Sequence, residues 1–249
     1  MLASILLEAL REPRTREELH AHVASLAEPG QSTAVVDQVL AAFEEAGMLD
    51  HAAPAASSEA KRLERKVVLC LTGGVAVAHA PALVEILQAR GCAVRIAATP
   101  SALRFVSTLA LEAMTHERVV ADPWPVDPKT SVPHLELARW ADLVVVHPLT
   151  ATTLARIAQG DCSSIVSAIA ISTRAPVLLV PAMNEAMIDA PSVRRNLGQV
   201  QEDGFFVAAP SLGYEVAEPP GQRKPSFGAS PPIAYVADIA ESVLRVTSA

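Results

Sequence analysis

The stretch 66-KVVLCLTGG-74 decides the fold. From Val67 to Leu71 it is apolar at every position, whereas a strand with one face in water would alternate. Both faces are therefore expected to be buried, as in a parallel sheet covered by helices. Two glycines end the run. The next segment, 79-HAPALVEILQARG-91, reads as a helix stopped by Gly91, and 92-CAVRIAAT-99 reads as a second buried strand. Strand, helix and strand in this order imply a parallel pair joined by a helix. The pattern repeats downstream. Strands are expected in 142-DLVVVHPLT-150 and 175-APVLLVPAMN-184, with helices in 151-ATTLARIAQG-160 and 162-CSSIVSAIAIST-173. The expected fold class is α/β, a Rossmann-like doubly wound parallel sheet.

The rest of the 249-residue chain sets limits around this core. Half of the residues (51%) are hydrophobic and only 4% are aromatic, which suits tight packing of small side chains between layers. The net charge of -7 repels phosphate backbones and anionic lipid, so nucleic acid and membrane surfaces are not expected partners. No apolar run reaches membrane-spanning length. The N-terminus meets Glu8 within its apolar run and reads as an amphipathic helix rather than a signal sequence. Cys70, Cys92 and Cys162 are odd in number and lack metal-ligand spacing, so a reduced, cytoplasmic protein is expected, with no metal site.

Residues 1–52 read as a small helical domain of winged-helix-like or peptide-recognition-like order, and 53–65 as a linker. DNA reading is disfavoured: residues 1–60 hold three arginines against ten carboxylates, and the helix over Val35–Phe43 has no Lys or Arg. The third segment, 66–249, carries the α/β pattern and a flexible flap over about 213–230.

Open α/β sheets bind ligands at the carboxyl ends of their strands. The chemistry should therefore sit at Thr72-Gly73-Gly74-Val75, at Thr99 and Ser101, at Pro148 to Thr152, and at Pro181 to Asn184. A strand ending in two glycines lets backbone N–H groups approach a phosphate. Taken alone, Gly73-Gly74 is equally a tight turn, and Thr99 and Ser101 are equally helix caps. The G-x-G-x-x-G fingerprint is absent and no acidic residue clearly follows the second strand, which disfavours NAD.

In combination, T-G-G-V-A, 99-TPSALRFV-106, P-H-L-E-L-A-R-W-A-D-L-V-V-V-H-P-L-T-A-T-T-L-A-R-I-A-Q-G and P-A-M-N-E-A-M resemble the homo-oligomeric flavin-containing cysteine decarboxylases, over about Lys66 to Ser211. That family includes phosphopantothenoylcysteine decarboxylases and peptidyl-cysteine decarboxylases. The resemblance implies FMN, with Thr72, Gly73, Gly74, Val75, Thr99, Ser101, Pro148, Thr150, Thr152 and Ser164 around it. It implies His134 as catalytic base and Asn184 as a catalytic and substrate-carboxylate contact, with Met183 and Met187 as an apolar wall. It also implies a homo-oligomer, a trimer or dodecamer, with flavin at a subunit interface.

Three departures bear on the substrate. Thr152 stands where the family has asparagine, and Ser163-Ser164 stand where it has Asp-Asn. The flap over Gly213–Gly228 contains no cysteine, whereas phosphopantothenoylcysteine decarboxylases use one there to re-reduce an enethiol. The expected function is oxidative decarboxylation of the C-terminal cysteine of a ribosomally made precursor peptide. The alternatives are the coenzyme A pathway reaction and a non-catalytic flavin-binding subunit.

Overall fold

A computed structural model of the chain describes residues 65–124, 132–214, 216 and 218–247. The expected N-terminal helical domain and linker lie outside the described residues, apart from Arg65 at the linker's end.

The expected strands form one parallel sheet. β1 (Arg65–Leu71), β2 (Cys92–Ala98), β3 (Leu143–Leu149), β4 (Val177–Pro181) and the short β5 (Phe206–Val207) lie in the order β2-β1-β3-β4-β5. All four pairings are parallel. The winding direction reverses between β1 and β3, the point at which such sheets open a crevice at their carboxyl edge. Beyond the edge strand, Val120 bridges Ala97 in parallel.

The apolar runs are buried on both faces as their composition requires. Val67, Leu69 and Leu71 face one core, shared with Leu83, Val84 and Leu87 of α1 (Ala80–Ala89), Leu111 of α2 (Thr108–Thr115) and Val236, Ala240 and Leu244 of the last helix. Val68 and Cys70 face the other core. It is built with Leu137 of α3 (Pro133–Trp140), Leu154 of α4 (Ala151–Gln159), Ile165 and Ile169 of α5 (Ile165–Ser172) and Val200 of α7 (Pro191–Glu202). Cys70 and Cys92 are core residues, and burial pushes both thiols up, so they stay protonated. Trp140 packs α3 against the sheet and also carries the Arg95 guanidinium 4.6 Å from its ring centroid.

Beyond Asn184 the structure adds elements that periodicity alone leaves unassigned. These are α6 (Glu185–Asp189), α7, a hairpin of β6 (Ser211–Tyr214) with β7 (Pro225–Ala229), and α8 (Ile233–Thr247). The stretch expected as a surface loop is thus framed by two antiparallel strands. Ion pairs from Arg90 to Asp238 and Glu241 tie α1 to α8.

Candidate functional site

The first three strand ends meet at the reversal point. The close approach begins at Gly73, where a Cβ would lie 2.4 Å from the Cβ of Ser101; only glycine lets the loop after β1 pass the loop after β2. Gly74 faces the third strand end, where a Cβ would stand 3.7 Å from Pro148 and 3.8 Å from Thr150. Thr72 is 1% exposed, and its hydroxyl donates to Pro148 O (2.5 Å) and accepts from Thr150 N (3.2 Å). Thr99 is also buried, and its hydroxyl accepts from Ala102 N. Thr150 caps α4 by accepting from Thr153 N, and Ser164 caps α5 by accepting from Ser167 N.

The expected cofactor residues therefore divide by task. Thr72, Thr99 and Thr150 use their hydroxyls to brace the loops. Ser101 and Thr152 are exposed, and their hydroxyls have no described hydrogen bond, so they remain free to meet a ligand. Val75 is 52% exposed at the start of a 3-10 turn over Val75–His79. A glycine pair whose first member has no room for a side chain, open hydroxyls beside it and no acidic side chain in the loops fit a phosphorylated cofactor lying across β1, β2 and β3.

His134 occupies the first turn of α3, behind Pro133 at the position where a missing N–H costs nothing. Its Nδ1 lies 3.1 Å from Pro123 O, and its ring stands edge-on to Trp124 with centroids 6.2 Å apart. A carbonyl can only accept, so the proton sits on Nδ1 and the Nε2 lone pair is left as a base. Among the described residues, no hydrogen bond or ring contact joins His134 to the strand-end loops.

Asn184 begins α6, and its Oδ1 accepts from Met187 N (2.9 Å). That bond orients the amide and leaves the NH2 end, a donor suited to a carboxylate, without a described partner. Met183 is half-buried against the second core, while Met187 is 41% exposed. The hairpin presses on this segment: Met183 N donates to Gly228 O, and a Cβ on Gly228 would meet Met183 O at 2.4 Å. A cavity of about 840 Å³ opens between α6 and the hairpin, lined by Asn184, Glu185, Asp189, Glu218, Gln222 and Lys224 among others.

His147, a polar residue at the end of an apolar strand, reads from the sequence as a buried, hydrogen-bonded histidine, and the structure bears this out. It is 1% exposed, and its Nε2 lies 2.7 Å from Ser230 Oγ. Burial and the nearby His79 lower its pKa to about 4. No sequence signal marks Gly228 or Ser230, whose roles depend on contacts across the fold.

A parallel sheet with glycine and hydroxyl loops meeting at its reversal point defines an open α/β protein, a class that binds its ligands outside the carboxyl ends of the strands. The Flavoprotein family model matches residues 55–241, and the chain belongs to that family. It is 37% identical over 150 residues to the coenzyme A biosynthesis bifunctional protein CoaBC of Bacillus subtilis (strain 168), covering 60% of this chain and 37% of that protein. The chain thus spans well under half the length of that curated relative. The FMN-dependent cysteine decarboxylase TvaF of thioviridamide biosynthesis is 31% identical with a TM-score of 0.60, covering 73% of this chain and 99% of that structure. A PPC decarboxylase variant complexed with pantothenoylaminoethenethiol is 27% identical with a TM-score of 0.63, covering 71% of this chain and 96% of its own.

Proposed function

We propose that this protein binds FMN and oxidatively decarboxylates the C-terminal cysteine of a ribosomally made peptide to an enethiol. FMN, when bound, supplies the two-electron acceptor for oxidation of the cysteine side chain. The protein's residues supply the rest. Gly73, Gly74 and the Ser101 hydroxyl hold the phosphate end. His134 Nε2 takes a proton from the substrate, with its tautomer held by Pro123 O. The Asn184 amide holds the carboxylate until it leaves as CO2, and Met183 and Met187 flank the thiol-bearing carbon. A homo-oligomer, a trimer or dodecamer, would let one protomer's His134 face a neighbour's cofactor loops.

The observation that carries the choice of substrate is the flap: no cysteine follows Cys162, so the hairpin has no thiol to re-reduce an enethiol. The cavity charge supports it. Glu185, Asp189 and Glu218 face a single cation, Lys224, and none of the four is ion-paired among the described residues. Such a field opposes a phosphorylated pantothenoyl arm and tolerates a peptide. The second reading, a phosphopantothenoylcysteine decarboxylase, is favoured by the 37% identity to CoaBC.

The test is mass spectrometry of synthetic peptides ending in cysteine, incubated aerobically with FMN-loaded protein. A loss of about 46 mass units, CO2 plus two hydrogens, is expected, and His134→Asn should abolish it. Turnover of phosphopantothenoylcysteine in place of every peptide would overturn the peptide reading.

A further inference from the structure

We propose that His147 is a positioning residue: through Ser230 it fixes the β6–β7 hairpin to the strand bearing the cofactor loop, and so shapes the substrate cavity beside Asn184. The inference deepens the proposed function and rests on its placement of substrate in that cavity.

His147 sits between the two halves of the site. On one side the chain continues into Pro148, whose carbonyl takes the Thr72 hydroxyl and whose ring lies beside Gly74. On the other, its Nε2 meets Ser230 Oγ at 2.7 Å. The Ser230 hydroxyl donates its one proton to Pro231 O, so it accepts from His147 Nε2–H. Ser230 O in turn accepts from Ser211 Oγ (3.0 Å), closing the foot of the hairpin. From there β7 runs through Gly228, which contacts Met183 beside Asn184. Among the described residues, His147 to Ser230 is the one hydrogen bond that joins β3 to the hairpin and its exit.

The remaining nitrogen shows that this residue is not present for packing. His147 Nδ1 is buried without a partner, an arrangement that an apolar side chain would avoid. It is also sealed from solvent, so it does not wait for a ligand. The bond to Ser230 is the interaction that offsets its burial.

Ser230→Ala removes the tether without touching the sheet, and Ser230→Thr restores a γ-hydroxyl. Three measurements are made on each FMN-loaded protein: tryptic cleavage after exposed Arg223 in the hairpin, FMN affinity by flavin fluorescence, and KM and kcat for a cysteine-ending peptide. Loss of one neutral hydrogen bond corresponds to about a fivefold change in hairpin opening. In Ser230→Ala, cleavage and KM should each rise about fivefold while FMN affinity and kcat stay within about twofold, and Ser230→Thr should behave as wild type. Unchanged cleavage and KM in Ser230→Ala would overturn the proposal. So would FMN affinity falling together with thermal stability, the mark of a purely structural residue. If the wild-type protein decarboxylates no peptide, the functional reading fails, and the cleavage and FMN measurements still decide the tether.

Discussion

Gly73→Ala tests the meeting of the first two strand-end loops. The φ of Gly73 is outside the left-handed region, so alanine is acceptable to the backbone and the effect is steric. The new methyl would stand 2.4 Å from Ser101 Cβ and 3.3 to 3.4 Å from Ser101 backbone atoms. Carbon atoms rest about 3.5–4.0 Å apart, so the loops must part by about 1 Å. Overpacking of this kind costs about 1–3 kcal/mol, and for a chain of this size each kcal/mol lowers Tm by about 2–4 °C. The loops that move are those expected to cradle FMN, so affinity should fall by about 10- to 100-fold. Thermal unfolding and flavin-fluorescence titration measure the two effects separately. Adding Ser101→Gly removes the shortest contact and should return most of the lost stability, a coupling that a double-mutant cycle reports. A Gly73→Ala protein with unchanged Tm and FMN affinity would refute the contact and the cofactor position inferred from it.

The depressed pKa of His147 makes stability depend on pH. Its folded value of about 4 lies below the ordinary histidine value of about 6.5, so between these the unfolded chain binds the proton and the folded one does not. Stability should fall by about 3 kcal/mol as pH drops from 6.5 to 4, and denaturation midpoints of His147→Asn should lack this component. Ser164→Ala, which uncaps buried helix α5 and removes one partner of the Ser167 hydroxyl, should cost about 1–2 kcal/mol. Ser164→Asn should be close to neutral in the same urea titration, since asparagine caps as well as serine. Gly228→Ala combines a φ of 119° with a methyl 2.4 Å from Met183 O, and should displace the hairpin, raising peptide KM by about tenfold or more.

The residues expected to form the site were placed at strand ends because strand ends are legible. Continuous Val, Ile and Leu runs mark β1 to β4, and the glycine and hydroxyl residues that end them lie where an open sheet binds ligands. The two-residue β5, too short for any periodicity, was not legible. Nor was the hairpin: β6 and β7 are short, rich in glycine, proline and serine, and paired across about ten intervening residues. Ser164, a departure from the family pattern, caps α5 with its hydroxyl, a task legible from its place before the helix.

Sequence alone determined the class of fold, since apolar runs that cannot face water must be covered on both sides, and their spacing forces parallel crossovers. It also determined which chemical groups stand at the strand ends. Tertiary structure decided what those groups do. Only strand order β2-β1-β3 brings Gly73 against Ser101 and turns the Thr72 hydroxyl onto Pro148 and Thr150. Only the folded hairpin gives His147 a partner 83 residues away. A hydroxyl or an imidazole has the same donors in any sequence. Which partner it meets depends on long-range packing, because burial away from water obliges each polar group to find its bond within the fold.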